Sequence, residues 1–351
     1  MLANARYARL AVGAVAIALG SACSGGAAQP TPPAVSTAAR AQSRDAVVRI
    51  KELDDLLGED SHYNPLAVVY GPGGDLWIAD NYDPDFGTSA IVRVSTSGKN
   101  IASYPTGSTY AGLAAGPDDA LWIADTEGAI ERLGTDGTFT RYSLRNRYYP
   151  NGITAGPDGA LWFTATFSPH AYVGRITTTG AVTAYGLSNS SWPVGIATGS
   201  DGNLWFTERE GDRIGRITPS GTVTEFSKGI GRNASPYLIA AGSDGALWFT
   251  EQRGIGRITT SGEVTEYRKG ISPREHPFGI APGPDGAMWF TEYAYRPRHA
   301  PDRIGRIATD GTITEYGGIN PRSWPAGITA GPNGDLWFVE ETTDLLGRIR
   351  L

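Results

Sequence analysis

The sequence predicts an all-β chain folded as a seven-bladed β-propeller, in which each blade is a sheet of four antiparallel strands. The first observation is an internal repeat, because a fixed period of about 40 to 45 residues is typical of propellers. Its tryptophan recurs seven times at intervals of 40 to 48 residues, at Trp77, Trp122, Trp162, Trp205, Trp248, Trp289 and Trp337. The second is the turn residues between short apolar segments in each copy. The third is a spare strand before the first copy.

Each repeat unit contains four short segments that predict strands, named A to D in chain order. Strand A is of Gly-Ile-Thr-Ala type, as at residues 152–155, and strand B is of Leu-Trp-Phe-Thr type, as at residues 161–164. A Gly-Pro-Asp-Gly turn joins them, with proline and Asp-Gly at positions that tight turns favour. Strand C is of Ile-Gly-Arg-Ile type, as at residues 214–217, and strand D is of Val-Thr-Glu-Tyr type, as at residues 264–267. No helical periodicity competes with this pattern.

The two ends of the repeat region complement each other. The seventh unit stops at strand C, residues 345–351, and lacks a strand D. Residues 46–51 (Ala-Val-Val-Arg-Ile-Lys) form a spare strand before the first unit. We expect this N-terminal strand to complete the last blade and close the ring, because closure removes exposed sheet edges.

The residues before the repeat have the features of an exported and tethered protein. Residues 1–22 predict a signal peptide, with two arginines before an apolar run that is short for a membrane span. Cys23 follows Gly-Ser-Ala and resembles the lipidated cysteine of a bacterial lipobox; an ordinary secretory signal with an incidental cysteine is the alternative. Residues 23–45 predict a flexible tether and residues 46–351 the propeller. We therefore expect a cell-envelope lipoprotein, periplasmic or outer-surface facing, that contacts the membrane through its lipid anchor alone.

Composition and charge argue against several functions. The net charge is −6 and no basic patch stands out, so the sequence does not indicate a nucleic-acid partner. With one cysteine, no intrachain disulfide can form. The sequence has no Gly-x-Ser-x-Gly, no phosphate-binding loop and no His-Glu-x-x-His. We expect a monomer whose partner is a small-molecule or peptide ligand.

The repeat motifs resemble those of the streptogramin B lyase (virginiamycin B lyase) family. The resemblance rests on Gly-Pro-Asp-Gly-x-Leu-Trp-Phe-Thr-Glu, Ile-Gly-Arg-Ile-Thr, Gly-x-Val-Thr-Glu-Tyr and Pro-x-Gly-Ile, and it covers nearly all of residues 46–351. It implies a magnesium-assisted opening of a cyclic depsipeptide antibiotic at its ester bond, by elimination rather than hydrolysis. Such a reaction needs a base that removes the proton next to the carbonyl and a cation that holds the developing charge.

The chain departs from the family at the positions that carry this reaction. The resemblance implies a histidine base directly after the proline of the seventh blade and a metal-binding glutamate directly before it, where this chain has Ala326 and Trp324. It implies a substrate-binding histidine at the matching place of the sixth blade, where Phe278 stands. Because alanine cannot take a proton, we expect the inherited mechanism to be lost or rebuilt. The remaining metal candidates, just past a Trp-Phe dipeptide, are Glu340, Glu341 and Glu292.

The loop face, formed by the D–A and B–C connections, is where we expect a site, because binding residues concentrate on loops held by a rigid scaffold. Long B–C connections at residues 81–90 and 293–302, and a shorter one at 166–171, carry aromatic residues and His299. They predict a binding rim for a flat, partly apolar ligand, or neutral insertions. The channel mouth should be lined by the residues that follow the blade prolines: Leu66, Asn151, Val194, Tyr237, Phe278 and Ala326. Trp192 and Trp324 each precede such a proline.

Charged residues at the blade ends have a functional and a structural interpretation. Glu275 and His276 are adjacent at the mouth of the sixth strand A, and are either a metal-binding or basic pair or an exposed loop. Acids end strand B at Asp80, Asp125, Glu208, Glu251, Glu292 and Glu340. Every strand C carries an arginine: Arg93, Arg132, Arg175, Arg216, Arg257, Arg306 and Arg348. We expect the two series to pair across strands within each blade.

Two functions follow from these observations. A binding module that does not turn its ligand over is favoured by the missing histidines and the apolar mouth. A metal-dependent lyase, acting on a depsipeptide ester or a related lactone, is favoured by the family resemblance. The enzyme requires four candidate side chains to converge, whereas their dispersal favours the binding module: His276, Glu275, Glu292 and Glu341.

Overall fold

The computed structural model describes residues 48–53, 64–81, 89–144, 148–167, 170–187, 192–273, 275–294 and 302–351, together with the backbone of Val15–Ala16. These residues form seven sheets, each built on four antiparallel strands. The A strands of successive sheets contact one another, and the last contacts the first, so the sheets form a closed ring. The predicted seven-bladed propeller is confirmed.

The strands follow the predicted order A to D in every blade. The A strands are Pro65–Tyr70, Tyr110–Ala115, Tyr149–Ala155, Pro193–Thr198, Ile239–Ala241, Glu275–Pro282 and Pro325–Ala330. The B strands are Leu76–Asp80, Ala120–Asp125, Leu161–Phe167, Leu204–Glu208, Leu247–Glu251, Met288–Ala294 and Leu336–Glu340. The C strands are Ser89–Val94, Ala129–Gly134, His170–Ile176, Arg213–Ile217, Gly254–Ile258, Arg303–Ile307 and Leu345–Arg350. The D strands are Asn100–Thr106, Phe139–Ser143, Val182–Gly186, Val223–Phe226, Val264–Tyr267, Ile313–Tyr316 and, from the N-terminus, Arg49–Leu53.

Short elements complete the secondary structure. Two 3₁₀ turns, Pro72–Gly74 and Pro332–Gly334, replace the tight A–B turn in blades 1 and 7. The backbone of Val15–Ala16 pairs in parallel with Gly112 and Leu113. In the part of the chain that is described, no helix is long and apolar enough to cross a membrane.

The ring closes through the N-terminal strand. Arg49–Leu53 pairs antiparallel with the last strand, from Arg49 opposite Arg350 to Leu53 opposite Leu346. It therefore acts as strand D of the seventh blade, as the sequence predicts. The strand runs to Leu53, two residues past the predicted end at residue 51. Closure by the first strand ties the two ends of the repeat region together in one sheet.

The core combines buried aliphatic residues with the repeated aromatic residues and extends between neighbouring blades. All seven repeat tryptophans are fully buried. In blade 5, Trp248 stacks on Tyr267 of strand D with ring centroids 5.6 Å apart and planes 20° apart. Such aromatic pairs contribute about 0.5–1.5 kcal/mol beyond the area that they bury. A Cβ atom on Gly256 of strand C would collide with the ring of Phe249, which explains the glycine of Ile-Gly-Arg-Ile.

The turn face, formed by the A–B and C–D turns, carries a polar network that repeats from blade to blade. In blade 5, Asp244 accepts hydrogen bonds from Trp248 Nε1 at 3.1 Å and from Arg257 Nε at 2.7 Å. The same aspartate–tryptophan–arginine arrangement is formed in three other blades by Asp118, Asp158 and Asp285.

The predicted pairing of the strand C arginines with the acids that end strand B is therefore wrong. Arg257 lies opposite Trp248 in the strand register, whereas Glu251 lies three residues further along strand B and opposite Gly254. The arginine consequently reaches the aspartate of the A–B turn, and the acid lies at the loop-face end. The acids that end strand B are therefore not paired with this series of arginines.

Candidate functional site

A β-bulge shapes the channel mouth at the loop-face end of strand A. In blade 6, Pro277 pairs with Glu292 and Ile280 pairs with Phe290, so Phe278 and Gly279 together face one residue of strand B. Blade 7 has the same register shift between Pro325 and Ile328. Bulges redirect side chains and are common beside binding sites. In these two blades the residues after the prolines, Phe278 and Ala326, line a depression of the surface.

The threonine that ends each Leu-Trp-Phe-Thr segment of strand B fixes a mouth residue of the neighbouring blade. Thr207 Oγ1 donates to the carbonyl oxygen of Tyr237 at 2.6 Å. Thr250 Oγ1 donates to that of Phe278 at 3.0 Å, and Thr291 Oγ1 to that of Ala326 at 2.7 Å. The same hydroxyls accept from backbone N–H groups of their own blades, as Thr291 does from Gly279. The mouth is thus built on rigid strands that are bonded across the blades, which favours a preformed site.

A depression lies on the loop face where blades 6 and 7 meet. It is shallow and open to solvent, and it is lined by Phe278, Tyr293, Trp324, Pro325, Ala326 and Glu341. Glu341 is the one acidic residue among these lining groups. Burial raises the pKa of its carboxyl group to about 7. The depression therefore combines aromatic walls with a single, poorly solvated carboxyl group.

Four aromatic side chains form a continuous aromatic arc along the depression: Tyr237, Phe278, Tyr293 and Trp324. The ring centroids of Tyr237 and Phe278 are 5.1 Å apart, and those of Phe278 and Tyr293 are 5.9 Å apart with an edge-to-face angle of 75°. Tyr293 and Trp324 follow at 5.8 Å. These separations are in the range of favourable ring pairs, so each ring supports the next.

Asp302 holds the blade 7 end of the aromatic arc in place. Its carboxylate accepts a hydrogen bond from the backbone N–H of Trp324 and another from that of Ala294, both at 3.0 Å. Ala294 directly follows Tyr293, so the two hydrogen bonds position the backbone at Tyr293 and at Trp324. Trp324 has a left-handed backbone with φ of 51°, a conformation that a bulky residue adopts at a cost unless its surroundings enforce it. The hydrogen bond from the Trp324 N–H to the buried Asp302 holds this backbone conformation.

The structure places the predicted ligand-binding residues in different surroundings. Phe278 and Trp324 line the depression, and Tyr237 extends the aromatic arc from blade 5. Asn151 is buried and its side-chain amide donates to the carbonyl oxygen of Pro193 at 2.9 Å, so it joins blades 3 and 4. Trp192 packs against the core cluster of blades 4 to 6 and is not among the residues that line the depression. Cys23 and His299, and nearly all of the predicted signal peptide and tether, lie outside the described residues.

Glu275 and His276 lie on opposite sides of strand A in blade 6. Successive residues of a strand face opposite sides, and here Glu275 is buried while His276 stacks on Tyr293 with centroids 5.6 Å apart. Burial raises the pKa of Glu275 to about 7, and the nearby charge of Asp302 adds to that rise. Burial lowers the pKa of His276. The two side chains are therefore split between the blade interior and the rim of the aromatic arc.

The three metal candidates are dispersed. Glu292 is fully buried, and neither of its carboxyl oxygens has a hydrogen-bond partner among the described residues. Glu340 is also buried and accepts a hydrogen bond from Thr343 at 2.6 Å, whereas Glu341 lines the depression. Across the described part of the chain, no three His, Cys, Asp or Glu side chains are grouped closely enough to hold a metal ion. The described residues at the mouth therefore do not fit a magnesium site.

Tyr293 and Asp302 are site residues that the sequence analysis did not single out. The sequence places Tyr293 at the start of the long B–C connection that predicts part of a binding rim. Asp302 has a signal in the sequence, because an Asp-Arg pair precedes Ile-Gly-Arg-Ile both there and at Asp212. Asp212 binds the next D–A connection in the same way, through the backbone N–H groups of Asn233 and Ser235. Comparison of the two copies predicts the shared role.

Known proteins resemble the chain along nearly all of its repeat region. The model of the virginiamycin B lyase family matches residues 47–254 and 229–351. Virginiamycin B lyase from Staphylococcus aureus has 34% sequence identity and a TM-score of 0.76, covering 87% of this chain and 99% of the lyase. A catalytically inactive histidine-to-alanine variant of that lyase, solved with quinupristin, gives the same values. No curated protein matches the chain.

Two further solved structures extend the comparison. A streptogramin B lyase has 32% identity and a TM-score of 0.72, covering 87% of this chain and 98% of that one. An extracellular domain described as part of a hybrid two-component system from Bacteroides thetaiotaomicron has 15% identity and a TM-score of 0.66, covering 87% of this chain and 42% of that one. The last shares the fold alone.

Proposed function

From the premise that this chain belongs to the virginiamycin B lyase family, we propose that it is a binding protein of that family, which holds a small-molecule or peptide ligand on its loop face without turning it over. The depression of blades 6 and 7 is the proposed ligand site. Its aromatic walls suit the apolar surface of such a ligand, and its bonded strands hold the walls in place before binding.

The observation that carries the proposal is Ala326 in the wall of the depression. The family resemblance assigns the catalytic base to this position, and a methyl group cannot abstract a proton. Trp324 likewise stands at the position of a metal-binding glutamate, and Phe278 at that of a substrate-binding histidine. A histidine-to-alanine variant of the S. aureus lyase is described as catalytically inactive and was solved with quinupristin, so loss of a histidine is compatible with ligand occupancy in that relative.

We further propose that the protein is exported and tethered to the cell envelope through a lipid on Cys23. The signal-like residues 1–22 and the small residues before Cys23 support this proposal. Metabolic labelling with a radioactive fatty acid tests it. The wild-type protein should take up label and sediment with membranes, whereas Cys23→Ser should do neither. Labelling of the serine variant would contradict the assignment.

The alternative function is a metal-dependent carbon–oxygen lyase that opens a cyclic depsipeptide ester. The 34% identity to virginiamycin B lyase over 87% of the chain favours it. The dispersal of the metal candidates and the split of Glu275 from His276 weigh against it. Among the described residues that line the depression, only Glu341 carries a group that can act as a base.

Mass spectrometry of quinupristin incubated with the purified protein, with and without Mg²⁺, separates the two functions. The binding function predicts untouched quinupristin at high protein concentration, with S. aureus virginiamycin B lyase as the positive control. A linear product of unchanged mass would establish elimination and overturn the proposal, and a product heavier by one water would indicate hydrolysis. An Ala326→His variant should stay inactive as well, because Trp324 and Phe278 remain.

A further inference from the structure

We propose that the depression binds a compact organic cation, such as the alkylammonium group of a small ligand, between the aromatic arc and the carboxylate of Glu341. The inference rests on the proposed function, because it names the chemical class of the ligand that this site takes. Three features carry it: the composition of the walls, the charge at one end, and a cation already stacked at the other end.

The walls have the composition of an aromatic cage. Phe278, Tyr293 and Trp324 present three rings to one small volume, and their mutual angles differ, from 42° to 75°. Rings that face a common space at different angles surround an approximately spherical group better than a flat one. The negative faces of such rings attract a cation, and quaternary ammonium groups are recognised in this way.

Charge complementarity points to the same ligand. Among the described residues that line the depression, Glu341 is the sole charged one, and a carboxylate in poorly solvated surroundings is stabilised by a positive charge placed against it. A neutral apolar ligand would bury this carboxyl group further and favour its protonated form. A cation satisfies the carboxylate and the rings together.

The opposite end of the aromatic arc already holds a cation. The guanidinium carbon of Arg209 lies 5.4 Å from the ring centroid of Tyr237, which is a cation–π contact within the chain itself. Tyr237 contacts Phe278 in turn, so the rings form one series from Arg209 to Trp324. The rings of Phe278, Tyr293 and Trp324, which line the depression together with Glu341, offer a second cation the same kind of side chain with a carboxyl group beside it.

Choline and its carbon isostere 3,3-dimethylbutan-1-ol provide the test, because they share shape and differ in charge. Their binding to the purified protein is followed by broadening of the methyl proton resonance in NMR titrations. We expect choline to bind roughly tenfold more tightly than the neutral isostere, the selectivity expected of a desolvated cation–π site. Equal affinity for the two probes would overturn the cation assignment.

Two variants locate the binding. Glu341→Gln should lower the affinity for choline several-fold and leave the affinity for 3,3-dimethylbutan-1-ol unchanged. Trp324→Leu should weaken choline binding, whereas Trp192→Leu, which changes a tryptophan with the same left-handed backbone in blade 4, should not. Equal loss with the Trp192 variant, or unchanged choline selectivity in Glu341→Gln, would contradict the site.

The outcomes separate this inference from the proposed function. If the neutral isostere binds as well as choline, the depression is a ligand site but not a cation site, and the inference alone fails. If neither probe binds, the inference also fails. Turnover of quinupristin would instead remove the proposed function, whatever the two probes show.

Discussion

The two faces of the propeller use the same residue types for different purposes. On the turn face, each acid meets partners supplied by its own repeat, as Asp244 meets Trp248 and Arg257. On the loop face, the residue opposite the acid that ends strand B differs from blade to blade. Glu208 lies opposite Arg213 and bonds to it at 2.8 Å, whereas Glu251 lies opposite Gly254 and Glu340 opposite Leu345. The turn face therefore maintains the fold, and the loop face is free to differ between blades.

The pKa values of the acidic side chains also differ between the two faces. Burial pushes the pKa of Asp285 on the turn face upward, but hydrogen bonds from Arg306 and Trp289 outweigh burial and lower it. On the loop face, burial raises the pKa of Glu292 to about 9, and the neighbouring charge of Glu315 adds to the rise. Glu292 is therefore costly to ionise, which is a liability that a purely structural repeat would avoid.

The largest expected effect comes from breaking the turn-face core. Trp248→Ala removes a fully buried indole, its stack on Tyr267 and its bond to Asp244, and should lower the free energy of unfolding by about 3–5 kcal/mol. Urea unfolding followed by circular dichroism measures the change. The matched Trp192→Ala variant, at a half-buried position on the loop face, should cost less than about 1.5 kcal/mol. Equal losses would show that the two faces do not divide in this way.

A pH dependence of stability is the next largest effect. Glu251, Glu292 and Glu340 have pKa values of about 8, 9 and 8 in the folded protein, above the ordinary 4.5 that the unfolded chain retains. The folded state therefore holds more protons, so the free energy of unfolding should fall as pH rises from about 5 to 9. Turn-face carboxyls such as Asp285 have lowered pKa values, and their contribution is lost only below about pH 4. Thermal unfolding should thus show greatest stability in mild acid.

Glu292→Gln sharpens this prediction. The variant removes the cost of ionising a buried carboxyl, so at pH 9 it should be roughly 1–3 kcal/mol more stable than the wild type, with little difference at pH 5. Glu208→Gln is the matched control, because it breaks the ion pair with Arg213 and should destabilise the protein at neutral pH. A Glu292→Gln variant with unchanged pH dependence would show that this acid does not carry the effect.

The repeat explains why the fold was predictable and the site was only partly so. Turn signals, buried tryptophans and the spare strand recur or complement one another in the sequence, so the blades and their closure follow from local patterns. The partners of the acids depend on strand register: Arg257 lies opposite Trp248, which the motif alone does not reveal. Glu275 and His276 diverge because a strand alternates its faces. Phe278 and Trp324 were found because they replace family residues at the bulge.

A smaller effect tests how the site is held. Asp302→Asn removes one of the two backbone contacts that position Tyr293 and Trp324, and should weaken choline binding several-fold at a stability cost of about 1 kcal/mol. Asp212→Asn is the matched control, because Asp212 secures the equivalent loop away from the depression. It should cost similar stability and leave choline binding unchanged. Loss of choline binding in both variants would indicate general loosening of the loop face.

The most direct test of the division between the faces is a paired measurement on Trp324→Leu. Its melting temperature and its affinity for choline are compared with those of the wild type. The account predicts a melting temperature within about 2 °C of the wild type and choline binding weaker by roughly tenfold. A large fall in melting temperature, or choline binding that is unchanged, would contradict it.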